Sequence, residues 1–277
     1  MTPLDGITAV TFDFGNTLVP VTRSGLHSVV ERTADGVAAA DPRVDRAEFL
    51  RVWAEERERQ FREEVPRFRE VDLAERLVRV YARIRGLAPP PAEVPWDQES
   101  AAAWSDPPEI EAAVATYSRA FVDQLPPAPG VDLLLSRLAR DRSLAILSNW
   151  PLAATIDRYA EAHGWIPSLS AIVVSQRVGT IKPHPAIFEA ARSALGSPDR
   201  TSILHVGDDW AADVVGAIDA GWRAAWVRDR PVDSPLPSSQ PEAGVRPDIE
   251  LNAVAEIEAC LGSVAEPGEP SEAALTL

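Results

Sequence analysis

The first apolar stretch, residues 7–12, is short and mostly β-branched or apolar, and it stops at Asp13-Phe14-Gly15-Asn16-Thr17. That length and composition predict a buried strand, and the polar residues after it predict a turn. A carboxylate therefore stands where a central strand ends. In open α/β sheets that edge is where ligands bind.

From residue 22 to residue 125 the pattern takes a helical period without internal repeats. Leu26, Val29, Val30, Thr33 and Val37 recur at helix spacing, as do Phe49, Val52 and Trp53 ahead of a charged stretch. Leu73, Leu77, Val80, Tyr81 and Ile84 form an apolar stripe that ends at Gly86, a C-cap. After the break at Ala88-Pro89-Pro90-Pro91, the run Pro107-Pro108-Glu109 starts another helix, with Ile110, Val114, Tyr117 and Phe121 on one face. No strand signal interrupts the region.

At Pro126-Pro127-Ala128-Pro129-Gly130 the pattern changes again. Helices over 131–140, 152–163 and 185–195, and one ending at Ala220, alternate with strands over 143–147, 170–174, 202–206 and Arg223–Val227. Such alternation predicts a doubly wound parallel sheet. Residues 229–247, rich in proline and serine, read as a surface loop, and 249–261 as a last strand and helix. The organisation expected is an α/β core from residues 1–21 and 126–262, an inserted all-helical domain over 22–125, and a disordered tail at 263–277.

The formal net charge of −15 argues against nucleic-acid or anionic-membrane partners, which need basic patches. A small anionic substrate remains compatible, because a metal and a few local cations can reverse the field inside one cleft. With Cys260 alone there is no intrachain disulfide and no thiolate metal cage. No secretory pattern and no long apolar run appears, so a soluble cytoplasmic protein is expected. Nothing in the pattern sets the oligomeric state. Of the 27 basic residues only one, Lys182, is lysine. A site that needs a compact ammonium in place of a planar guanidinium would account for that exception.

Four polar strand ends stand out: Asp13 to Thr17, Ser148-Asn149, Lys182 in a βα loop, and Gly207-Asp208-Asp209 followed by Asp213. A parallel sheet carries all four to one edge. They suit nucleophilic displacement at phosphorus with a hard divalent cation. Asp13 would attack. Asp13, Asp208 and the main-chain carbonyl of Gly15 would hold Mg²⁺. Ser148 would donate to a phosphoryl oxygen, and Lys182 would neutralise charge.

In the order of these motifs and the place of the helical insert, the chain resembles the haloacid dehalogenase-like (HAD) hydrolases with a C1-type cap. The resemblance implies a Rossmann-like core, Asp13 as nucleophile, Thr17 and Ser148 as supporting hydroxyls, Lys182 as charge neutraliser, and Asp208 with Asp213 at the metal end. It also shows one departure. HAD phosphatases usually carry an aspartate two residues after the nucleophile for proton transfer, and here that position is Gly15. The missing group would have to come from the cap, where His27, Glu70 and Asp72 are candidates. Arg67, Arg69 and Arg76 are candidate anion contacts. The function expected is a Mg²⁺-dependent phosphatase acting on a small phosphate ester. The alternatives are a 2-haloacid dehalogenase, disfavoured by the retained Asp208, Asp209 and Asp213, and a HAD-fold binding or regulatory protein of low activity. Phosphonate hydrolysis through a cap lysine is excluded, because residues 22–125 contain no lysine.

Overall fold

The computed structural model describes residues 4–262. Among these, six strands form one parallel sheet: β1 (Ala9–Phe12), β2 (Ser143–Ser148), β3 (Ala171–Val174), β4 (Ile203–Gly207), β5 (Arg223–Val227) and β6 (Ile249–Leu251). Their order is β3-β2-β1-β4-β5-β6. Phe12 at the end of β1 sits opposite Ile146 of β2 and Val206 of β4. All four β1 residues are buried, as a strand covered on both faces requires. Strand order reverses between β1 and β4, so a crevice opens beyond their carboxyl ends.

Five α-helices fill residues 22–125 after β1: α1 (Arg23–Ala40), α2 (Arg46–Glu63), α3 (Leu73–Ile84), α4 (Gln98–Ala102) and α5 (Pro107–Gln124). Side chains fix where several begin. Thr22 accepts from the Gly25 N–H, Asp45 from that of Glu48, and Asp72 from those of Ala74 and Glu75. The apolar stripes bury as their spacing requires: Val29, Thr33 and Val37 on α1, Phe49, Val52 and Trp53 on α2, and Leu73, Leu77, Val80 and Tyr81 on α3. The sheet is flanked by α6 (Val131–Leu138), α7 (Ala153–Ala162), α8 (Ser175–Val178), α9 (Pro185–Ala194) and α10 (Gly216–Asp219).

Two features join the helical segment to the sheet edge. Phe14 packs its ring against Phe121 of α5, Trp150 and Tyr159 of α7 at 6.0, 5.3 and 5.2 Å, which anchors the turn after Asp13. Residues 68–73 are hydrogen-bonded to the loops after β2 and β3. The Phe68 carbonyl accepts from Ile181 N–H and Thr180 Oγ1, Asp72 accepts from Gln176, and Leu73 N–H donates to the Pro151 carbonyl.

Three details differ from the sequence expectation. The helix after β4 starts as a widened π-type turn, Trp210–Val215. The last helix is a 3₁₀ helix, Val254–Cys260, and its buried Val254, Ile257 and Cys260 recur every three residues, the 3₁₀ period. Residues 229–247 do not merely cover the surface; they cross the crevice. The tail expected at 263–277 lies outside the described residues.

Candidate active site

The polar strand ends converge. Asp13 Oδ1 accepts from Ser148 Oγ at 2.9 Å and from Lys182 Nζ at 2.8 Å. Lys182 Nζ also donates to Asp213 Oδ1 at 2.6 Å and to the Leu147 carbonyl at 2.9 Å, so all three ammonium protons are used. Asn149 clamps the same residue through its main chain, accepting from Lys182 N–H at 2.6 Å and donating to its carbonyl at 3.0 Å. Ser148 thus holds the carboxylate of Asp13. Thr17 stays out of the cluster: it is buried, and its hydroxyl has no hydrogen-bond partner among the described residues.

The widened turn brings Asp213 back under the β4 end. Its Oδ2 accepts from Asp209 N–H at 2.8 Å, and its Oδ1 faces His205 Nε2 at 3.0 Å as well as Lys182. A Cβ on Gly207 would lie 2.2 Å from Asp213 Cγ, so only glycine fits there. His205 is a site residue that the motif reading passes over. Thr11 Oγ1 lies 2.8 Å from its Nδ1. Burial depresses the imidazole pKa, and a neutral ring protonated at Nε2 would accept from Thr11 Oγ1 at Nδ1 and donate to Asp213. Its only signal in sequence is a lone histidine inside an apolar strand, three residues before Asp208.

The electrostatics divide the three acids. Burial alone would raise Asp213, but Lys182 and His205 outweigh it and hold its carboxyl below the usual range. Burial raises Asp13, with Asp213 adding to the shift and Lys182 opposing it. Asp208 is pushed well above the carboxylate range by burial and by the charges of Asp13 and Asp213. Burial also disfavours the Lys182 ammonium, but Asp13 and Asp213 more than compensate and its pKa rises.

A divalent cation fits this donor set. Asp13, Asp208 and Asp213, all buried, present oxygens within 4.8 Å of one another. Asp213 has both oxygens engaged. Asp13 Oδ2 and Asp208 Oδ1 accept no hydrogen bond from the described residues, which leaves them open to a hard cation.

Asp208 Oδ2 is held by Arg230 at 2.9 Å and, more weakly, by Asn16 Nδ2 at 3.4 Å. Arg230 belongs to the 229–247 segment and also donates to the carbonyls of Leu236 and Pro237. Asp209 accepts from the N–H and Oγ of Ser239, and Ser234 donates to Asn16. These contacts lay the segment along the crevice. A proline- and serine-rich composition carries no signal for such a path.

The same segment explains Gly15. This residue does not occupy the left-handed region. A Cβ there would lie 2.6 Å from Leu236 Cδ1 and 3.1 Å from Trp150 Cζ3. Gly15→Asp should therefore lower stability by about 1–3 kcal/mol through overpacking. Adding Leu236→Ala should recover most of that loss. Thermal melts of the single and double variants check this; no recovery would mean that Trp150 or the backbone sets the limit.

A cavity of about 410 Å³ opens above Asp13 and Lys182 and extends to the helical segment. Of the three proton-transfer candidates, only Glu70 lines it. His27 pairs with Glu31 on an exposed face. Asp72 is committed to the α3 N-terminus and Gln176. Glu70 is half-buried, accepts from Ser175 Oγ at 2.5 Å, and is raised in pKa chiefly by burial. Of the arginines, Arg67 and Arg69 are exposed and only Arg76 lines the cavity.

The family model of haloacid dehalogenase-like hydrolases matches residues 7–221, a stretch that holds every motif above. The chain belongs to the haloacid dehalogenase-like hydrolase family. It is 29% identical over 145 residues to the pyrimidine 5'-nucleotidase YjjG of Escherichia coli, covering 52% of this chain and 61% of that protein. It is 34% identical over 119 residues to a phosphoserine phosphatase of Thermus thermophilus, covering 43% and 44%. The matches thus span less than two thirds of either relative. A 2-haloacid dehalogenase from Pseudomonas syringae shares the fold at a TM-score of 0.61 and 22% identity, over 92% of this chain and 97% of that one. A HAD hydrolase of Bacillus subtilis, YfnB, bound to magnesium in its crystal structure, does so at 0.57 and 16%, over 92% and 99%. No helix among the described residues is long and apolar enough to cross a membrane.

Proposed function

We propose that this HAD hydrolase is a metal-dependent phosphatase of small phosphate monoesters, working through an aspartyl-phosphate on Asp13, with residues 22–125 as its cap. The observation that carries the reading is Asp13 held by Lys182 and Ser148 beside the open carboxylate of Asp208. Asp13 and Asp208, with the Gly15 carbonyl, would hold Mg²⁺, which supplies positive charge at the phosphoryl oxygens. Asp213 serves that end by fixing Lys182 and His205.

Asp13 forms a bond to phosphorus as the ester P–O bond breaks. Lys182 balances the charge that gathers on Asp13 and the phosphoryl group. The departing alkoxide needs a proton, and Glu70, the carboxyl that the helical segment contributes to the cavity lining, is the group we assign to it. Water then displaces phosphate from Asp13, returning a proton to Glu70. Dehalogenation is less well supported, because three clustered carboxylates serve a cation and a haloacid needs none. A binding protein would have no use for the Asp13–Lys182 pairing. Phosphate release from a panel of monoesters, with Mg²⁺ and with chelator, and a haloacid as control, tests the reading. Halide release without phosphate release would overturn it.

Glu70→Gln is expected to slow alkyl phosphates by about 10²–10⁴-fold, the value of a positioned acid, and aryl phosphates far less. The sign of the pH effect follows from the raised pKa. The protonated form persists above the ordinary glutamate range and is lost as pH rises through the folded pKa. Alkyl-phosphate kcat/KM should fall along that limb, and the limb should vanish in Glu70→Gln. A profile identical in both proteins would remove Glu70 from the mechanism.

A further inference from the structure

Arg76, on the first turns of α3, is 4% exposed, and its guanidinium lies over the Trp53 ring at 5.1 Å. Its Nε donates to Gln60 Oε1 at 2.9 Å, and Gln60 is itself fixed by the Asp72 carbonyl at 2.8 Å. The plane and position of the fork are therefore set. Its two terminal nitrogens have no acceptor among the described residues, and neither belongs to the polar atoms sealed from solvent. They open on the cavity that holds Asp13.

Three other arginines of the same helical segment have their terminal nitrogens matched, and Arg79, buried with only the Trp96 carbonyl as acceptor, does not line the Asp13 cavity. Arg59 finds Glu63 and two carbonyls, Arg83 finds Glu55 and Glu56, and Arg85 finds Glu109. Glu70 and Asp72 act on Arg76 through space, but no carboxylate is bonded to the fork, and a buried, oriented cation in that state is stabilised by an anion that arrives with a ligand. Two parallel N–H groups on a fixed plane match a carboxylate. The wall between the two ends is apolar: Leu26, Phe61, Val65, Phe68 and Val71 line it. Val65 and Phe68 are exposed although they are large and apolar, as residues that wait for a ligand would be.

We propose that the cap end of this cavity is a carboxylate subsite built on Arg76, so that the substrate is a phosphate monoester with an apolar body and a carboxylate at its far end. The phosphate end rests on the phosphatase reading; the carboxylate end does not. Arg76 is a specificity residue and takes no part in bond making.

The test compares matched aryl phosphates that bear a distal carboxylate or the corresponding amide. Wild type should favour the carboxylate at least tenfold in kcat/KM, chiefly through KM. Arg76→Gln should collapse that ratio towards one, and Arg76→Lys, which keeps the charge but loses the fork, should keep part of it. Equal use of carboxylate and amide by wild type, or an unchanged ratio in Arg76→Gln, would overturn the subsite. A second arm needs neither turnover nor the phosphatase reading. Non-hydrolysable arylphosphonates with and without the carboxylate are titrated into each protein by calorimetry, and melts without ligand report folding. Tighter binding of the carboxylate form by wild type and Arg76→Lys, but not by Arg76→Gln, sustains the subsite even if no ester is hydrolysed. Equal binding of both phosphonates by wild type overturns it, whatever the esters do.

Discussion

Asp13→Asn is expected to remove hydrolysis altogether, by at least about 10⁴-fold in kcat. The amide is nearly isosteric, and its oxygen can still accept from Ser148 Oγ and Lys182 Nζ, so the fold should persist. What disappears is the carboxylate proposed to attack phosphorus, together with one of the open oxygens that could meet a cation. The substitution also takes away a negative charge that helps push Asp208 up. Asp208 should then titrate closer to an ordinary aspartate even though the variant is dead. Rapid-quench phosphate release gives the kinetic result, and a thermal melt shows that folding is intact. Retention of more than about one percent of wild-type turnover would rule out an aspartyl-phosphate on Asp13.

Lys182 should be the second most sensitive position, and for two separable reasons. Lys182→Met leaves Asp13 and Asp213 buried and facing each other without a cation. Breaking a buried pair in this way costs about 3–5 kcal/mol. The pH dependence has a definite sign. Asp213 is held below the usual range in the folded chain, so its contribution is present above the unfolded pKa and is lost as pH falls through the folded one. Without Lys182 that contribution goes, and the variant should be most destabilised at neutral pH and least at acid pH. Lys182→Arg tests shape in place of charge. The ammonium meets Asp13, Asp213 and the Leu147 carbonyl from one point, an arrangement a planar fork cannot reproduce. Its stability should fall less than that of Lys182→Met, while kcat drops at least about tenfold. Urea melts across pH for the first variant and kinetics for the second check these outcomes. Wild-type kinetics in Lys182→Arg would mean that any cation suffices here.

The catalytic edge was legible because it obeys local rules. An apolar run that ends in an acid, and a strand–helix alternation that makes the sheet parallel, bring Asp13, Ser148, Lys182 and Asp208 together without knowledge of packing. Roles were harder to read than places. Sequence brings Ser148 to the site, and only the assembled sheet shows that its hydroxyl donates to Asp13. The hydroxyl of Thr17 is buried and has no hydrogen-bond partner among the described residues, a state that no sequence pattern announces.

Sequence by itself determined the parallel sheet, the helical insertion, the convergence of four strand ends and the singular lysine, since periodicity and chain order act over short distances. Tertiary structure alone decided which residues of the helical segment reach the cavity. Arg67, Arg69 and Arg76 are equivalent in composition, and only the packing of α3 against α2 buries the last of them over Trp53 and turns its fork inward. It alone decided that residues 229–247 cross the crevice, that Arg230 reaches Asp208, and that Leu236 fills the space a side chain at position 15 would need. Those contacts join residues about 20 to 220 positions apart. They depend on the shape of the assembled crevice, which no window of local sequence contains.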